Sequence, residues 1–233
     1  MTTLSDHLHQ VRERIAAACA RHGRDPAGVR LLAVSKTFPP EAVREVHAAG
    51  QAAFGENYVQ EGIAKIDALA DLRADLEWHC IGPLQSNKTR AVAAQFDWVH
   101  SLDRVKIAER LSEQRPAHLP PLQVCLQVNV DGGDNKSGVA AQDALALARA
   151  VAQLPRLRLR GLMAIPEPAI DFVAQYALFM RVRAVFDEIR ADGIALDTLS
   201  LGMSADLEAA IAAGSTMVRV GTSIFGGRPA AQA

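Results

Sequence analysis

Lys36 follows the short apolar run LLAVS (31–35), and Pro39 and Pro40 close the segment. A branched, proline-bounded run of this length reads as a buried strand. Lys36 would then stand at the strand's carboxyl end and face whatever site the sheet builds. A lysine desolvated there becomes a nucleophilic amine, suited to a Schiff base with an aldehyde or ketone. The same position also suits a lysine that snorkels to water. Near other strand ends, Ser204 opens a helix-like stretch in SLGMSADLEAAIAAG, and Gly221 and Thr222 follow the last strand in VRVGTSIFGG. First-turn amides with a helix dipole, a glycine that admits close approach and a hydroxyl donor make a phosphate cradle. An N-cap serine and a turn glycine are the plainer readings. Arg219 lies inside an apolar strand, so it must face the site or form an ion pair, with Asp103 as the candidate partner. An amine, a phosphate cradle and an inward arginine together suggest pyridoxal phosphate.

These residues need strands to position them. Strand-like runs fall at 30–35, 51–54, 76–81, 97–101, 122–130, 157–164, 196–201 and 216–220, and helix-like stretches at 40–49, 58–70, 86–94, 104–114, 140–153, 171–191 and 205–213. The strands are apolar on both faces, as a helix-covered parallel sheet requires. Strict alternation predicts an α/β fold, a (β/α)8 TIM barrel, with the helix at 4–22 as an extra N-terminal element covering one end or packing outside. No GxGxxG follows the first strand, which disfavours an open dinucleotide-binding sheet. No linker is evident: residues 1–229 read as one barrel domain and 230–233 as a frayed tail. In such a barrel the site lies at the carboxyl ends of the strands.

Composition narrows the function classes. The 233 residues are 49% hydrophobic and only 5% aromatic, with a net charge of −1 and no long run of one sign. That argues against a nucleic-acid or membrane-surface partner. The seven histidines show no metal-ligand spacing, and Cys19, Cys80 and Cys125 form no CxxC pair, which implies a reducing compartment. Without a signal peptide or membrane span, the chain reads as a cytoplasmic protein.

The segments LLAVSKTFP, FGENYVQE, WHCIGPLQSNK, GLMAI, SLGMSADLEAAI and VRVGTSIFG resemble the YggS/PROSC family of pyridoxal phosphate homeostasis proteins over nearly the whole chain. The resemblance implies a fold-type III barrel like the barrel domain of alanine racemase. It implies that Lys36 carries the cofactor as an internal aldimine, and that Ser204, Gly221 and Thr222 hold the phosphate. By the same resemblance Arg219 faces the pyridine nitrogen, and Asn57, His79, Ser200 and Met203 form pocket walls. Such an arginine stays charged and makes the ring a weaker electron sink than an aspartate would. Racemisation needs a second acid/base opposite the lysine. Of the candidates, Tyr58 and Tyr176 read as structural, and His79 and Cys80 are the possible substitutes. The expected role is therefore a monomeric, non-catalytic carrier that buffers pyridoxal phosphate and passes it to pyridoxal phosphate-dependent apoenzymes. An amino-acid racemase is the alternative. A Schiff-base aldolase with Glu56 or Asp103 as proton shuttle is a third reading. Lys136, in the loop DGGDNKSG (131–138), reads as a surface lysine.

Overall fold

Apolar runs of three to eight residues, buried on both faces, pair side by side because a parallel ladder leaves no face for water. The computed structural model describes residues 3–131 and 137–227; Lys136 and the expected tail at 230–233 lie outside them. The strands are β1 (Arg30–Val34), β2 (Ala53–Glu56), β3 (Glu77–Cys80), β4 (Trp98–Leu102), β5 (Leu122–Asn129), the two-residue β6 (Val139–Ala140), β7 (Leu157–Met163), β8 (Thr198–Ser200) and β9 (Met217–Val220). All pair in parallel with their neighbours, β6 adds onto the end of β5, and β9 returns to β1 to close an eight-stranded barrel. The expected TIM barrel is the observed architecture.

The helices are α1 (Leu4–Arg21), α2 (Pro40–Ala48), α3 (Val59–Ala68), α4 (Thr89–Gln95), α5 (Val105–Gln114), α6 (Ala144–Ala152), α7 (Phe172–Ala191), α8 (Leu207–Ala212) and the one-turn α9 (Thr222–Phe225). Helix α1 starts with a Thr3–Asp6 capping box and buries Leu8, Val11, Ile15, Ala18 and Cys19, packing on α2, α8 and α9. It lies outside the barrel. Among the described residues a single helical turn follows β9, and α1 packs on it and on α8 in the outer layer.

Three expected boundaries shift for local reasons. The strand expected at 51–54 begins at Ala53, because the buried Gln51 side chain donates to the carbonyls of Leu31 and Ala53 and ends the preceding turn. The helix expected from residue 140 begins at Ala144, after β6 and a single 3-10 turn. The helix expected at 205–213 begins at Leu207: the Asp206 carboxylate accepts the Met203 amide at 2.6 Å and closes a turn over 203–206 first.

The barrel interior is divided by polarity. Leu32, Ala53 and Met217 form one small apolar cluster and Trp98, Cys125 and Met163 another. Between them run buried polar side chains: His79, His100, Ser200 and Arg219. The main apolar core instead lies between strands and helices.

Candidate functional site

Lys36 stands two residues past the end of β1 and is half-buried. The turn that presents it is held by a buried charge cluster from α3. Lys65 donates to the Ser35 carbonyl at 2.6 Å and to Glu56 and Glu61 at 2.7 Å each. Glu61 also accepts the Thr37 amide, and Thr37 adopts a left-handed backbone with φ 67°. A threonine enters that region only when its surroundings compel it. Residues on both sides of Lys36 are thus fixed, while the lysine amine has no partner among the described residues.

At the carboxyl ends of the strands a cavity of about 340 Å³ opens, and Lys36, Asn57, Met203, Ser204, Arg219, Gly221 and Thr222 all line it, with Ile81 and Ile165 as apolar walls. Seven of the nine expected site residues meet there. Ser204 is not the helix N-cap that the sequence suggests; it lies in the turn before α8. The amides of Ser204 and Ala205 in that turn, and of Thr222 and Ser223 in the first turn of α9, find no backbone acceptor among the described residues. Ser204, Ala205 and Thr222 line the same cavity, where amides of this kind are potential anion donors. Helix α1 ties the two loops together: Arg14 donates to the Ser204 carbonyl at 2.9 Å and to Ser223 Oγ at 3.4 Å. Gly221 packs against β1, where a Cβ would lie 3.1 Å from the Val34 carbonyl oxygen.

Arg219 forms no ion pair with Asp103. Its guanidinium donates to the Ser200 carbonyl and hydroxyl and to the Ala164 carbonyl at 3.0 Å. Burial lowers its pKa to about 10, which leaves it charged at neutral pH. Its Nε has no acceptor among the described residues.

Two expected wall residues lie elsewhere. Ser200 and His79 do not line the cavity. They sit fully buried beneath it, because alternation along the strands points them at the barrel axis one layer down. His79 stacks on Trp98 at 5.2 Å and bonds to His100 at 2.9 Å. Burial lowers the pKa of both imidazoles, His100 well below its ordinary value. Cys80 is buried, and desolvation pushes its thiol to about 12. Glu56 faces α3 rather than the cavity, bonded to Lys65 and to Ser35 Oγ at 2.6 Å. Tyr58 is 59% exposed, and Tyr176 packs on Phe172.

Sequence reasoning missed Lys65, Glu61, Arg14 and His100. Three had a visible signal: Glu61 and Lys65 are spaced i, i+4 on one helix face, and His100 shares the inward alternation of Trp98. A larger cavity, about 810 Å³, opens at the amino-terminal mouth among Arg30, Arg73, Arg160, Glu77, Asp97 and Asp197. Those charges are matched in pairs at 2.7–2.8 Å, and no lysine lines it.

An amine, loop amides without a backbone acceptor and a charged arginine around one small cavity fit an aromatic aldehyde that carries a phosphate. Comparison with known proteins agrees. The family model described as alanine racemase, N-terminal domain, matches residues 7–229. The pyridoxal phosphate homeostasis proteins of Pseudomonas aeruginosa and Escherichia coli are 60% and 55% identical to this chain, each over 98% of it and over 97% and 98% of their own lengths. The structure of PipY from Synechococcus elongatus with PLP bound superposes with a TM-score of 0.80 at 41% identity, covering 91% of this chain and 100% of that one.

Proposed function

The chain belongs to the pyridoxal phosphate homeostasis proteins, within the alanine racemase N-terminal domain family, and from that premise we propose that it holds pyridoxal 5'-phosphate reversibly on Lys36, buffering the cofactor and delivering it to apoenzymes in the cytoplasm. Bound there, the cofactor supplies an aldehyde that condenses with an amine and a ring able to withdraw electrons. The residues supply the rest. Lys36 offers an amine without a competing ion pair. Ser204, Thr222 and the loop amides would hold the phosphate, and Gly221 would let backbone approach it. Arg219 keeps a positive charge in the cavity wall, and Ile81 and Ile165 would offer apolar surface to the bound cofactor.

The observation that favours a carrier over an enzyme is the composition of the lining. Among the described residues around the cavity, Lys36 and Arg219 are the only ionisable side chains. A racemase needs a second proton donor opposite the lysine, and Tyr58, Tyr176, His79 and Cys80 are all turned elsewhere. The aldolase reading weakens for the same reason, since Glu56 points into the helical layer. A monomer open at the cavity mouth suits release of the cofactor. No helix among the described residues is long and apolar enough to cross a membrane.

The test is the absorption spectrum of the purified protein with pyridoxal phosphate, before and after borohydride, with the reduced adduct mapped by mass spectrometry. The expected result is a yellow protein with a pyridoxyl group on Lys36, and a Lys36→Ala variant that folds but traps none. A protein that stays colourless after reconstitution would overturn the cofactor reading. Exchange of an amino acid α-proton in deuterated water at an enzymatic rate would overturn the carrier reading.

A further inference from the structure

Beneath the cavity floor, five side chains make an unbroken hydrogen-bond row down the barrel axis. Arg219 Nη1 lies 2.8 Å from Ser200 Oγ. Ser200 Oγ lies 3.0 Å from His100 Nδ1, and His100 Nε2 lies 2.9 Å from His79 Nδ1. His79 Nε2 lies 2.6 Å from Glu77 Oε1. Glu77 is also bonded to Arg30 at 2.8 Å, and both line the large cavity at the amino-terminal mouth. The row therefore joins the two ends of the barrel.

The ends fix the direction of every proton in it. A guanidinium can only donate, so Ser200 Oγ accepts from Arg219 and keeps its own hydrogen to place, and His100 Nδ1 at 3.0 Å is the acceptor within reach. His100 then carries its proton on Nε2 and donates to His79 Nδ1. His79 in turn carries its proton on Nε2 and donates to Glu77, which beside Arg30 is an ionised acceptor. The reverse direction would set a bare imidazole nitrogen against a carboxylate and leave the Ser200 hydroxyl hydrogen without its acceptor. Both histidines are thereby assigned as neutral Nε2–H tautomers. Ser200, His100 and His79 are fully buried, and Trp98 stacks on His79 and tilts against His100, so these bonds are shielded from bulk solvent. A chain polarised in one sense strengthens each member. The negative charge at Glu77 draws the row of dipoles toward itself and leaves Ser200 Oγ a better acceptor for the arginine.

We propose that Glu77, His79, His100 and Ser200 are positioning residues for Arg219, a one-way hydrogen-bond relay that fixes the guanidinium in the cofactor cavity and couples it to the carboxylate at the opposite mouth of the barrel. Its bearing on the cofactor rests on the function proposed above; the relay itself does not.

Two measurements separate these. In cofactor-free protein, nitrogen-15 correlation spectra of the imidazoles read the tautomers directly. The expected result is Nε2–H at both His79 and His100, with the His100 nitrogen signals displaced in Glu77→Gln. An Nδ1–H tautomer or an imidazolium at either site overturns the relay, as do unmoved His100 signals in a folded Glu77→Gln. In the loaded protein, Ser200→Ala is expected to raise the dissociation constant of pyridoxal phosphate about tenfold or more, the loss of one hydrogen bond to a charged group, and to shift the visible band while Lys36 still traps the cofactor. A folded Ser200→Ala protein with wild-type affinity and spectrum overturns the positioning role. If wild-type protein binds no pyridoxal phosphate, the function proposal fails and the tautomers still decide the relay.

Discussion

Replacing Lys65 by methionine tests whether the buried charge cluster, rather than the strand alone, presents the cofactor lysine. Lys65 and Glu56 have side chains 4% and 0% exposed, and their charged atoms lie 2.7 Å apart. Methionine keeps the apolar stem of the lysine and removes three donations: to Ser35, Glu56 and Glu61. Removing one partner of a buried pair leaves the other uncompensated and costs about 3–5 kcal/mol. For a domain of this size each kilocalorie lowers Tm by about 2–4 °C, so a fall of about 6–20 °C is expected. Denaturant unfolding, followed by the fluorescence of Trp78 and Trp98, reads the loss directly.

The pH dependence gives a sharper check. Burial already raises the Glu56 carboxyl above 4.5, and Lys65 draws it back only in part. Without Lys65 the folded-state value rises further, so folded protein binds a proton that unfolded protein has released. A group raised in the folded state supports stability below its unfolded value and loses that support as pH climbs through the folded value. The variant's deficit should therefore be smallest below pH 4.5 and grow toward neutrality. Adding Glu56→Gln to Lys65→Met should recover about half the loss or more, because no buried charge is then left unpaired. A loss under about 1 kcal/mol, the range of an exposed ion pair, or a loss independent of pH, would refute the reasoning.

Ser204→Ala combined with Thr222→Val should weaken cofactor binding by about 2–4 kcal/mol, since hydrogen bonds to charged groups contribute about 1.5–3 kcal/mol each and are not additive; titration by absorbance checks it, and unchanged affinity would remove the cradle. Gly82→Ala would place a Cβ 2.0 Å from the Asn57 carbonyl oxygen, so it should cost about 1–3 kcal/mol in unfolding experiments, the usual penalty for overpacking, and disturb the cavity wall at Asn57. Cys80 and Cys125, with thiols pushed up to about 12 by burial, should resist a thiol reagent at pH 8 in folded protein and react once denaturant is added.

The barrel was legible because each strand is a short apolar run between polar helices, and eight such runs leave little choice of closure. The cavity residues were legible for a related reason: Lys36, Ser204, Gly221 and Thr222 are polar or small residues at the ends of apolar strands. Ser200 and His79 illustrate where that rule stops. A position near a strand's end does not say whether the side chain lies in the top layer or the one beneath it, since the register between strands decides that. Ser200 pairs in register with Met163 and with Met217, which sets it below the cavity and under Arg219. The Asp206 turn was illegible for another reason, because a serine before a helical pattern looks like a cap whether or not a later aspartate takes the amide first.

The same register explains why an aliphatic-rich sequence keeps imidazoles, a serine and a guanidinium inside its barrel. A buried guanidinium is costly unless every donor finds an acceptor. Carbonyl oxygens at Ala164 and Ser200 meet part of that need, but the Ser200 hydroxyl, once it accepts, has a hydrogen to place. Each acceptor supplied for that hydrogen creates the same problem one layer lower, until a carboxylate that only accepts ends the series at Glu77. Apolar replacements at His79 or His100 would pack acceptably by volume yet strand a donor above them. The polar axis is thus the consequence of keeping one permanent positive charge in the cavity wall, and its length follows from the distance between that charge and the first place in the barrel where water and Arg30 can stabilise an anion.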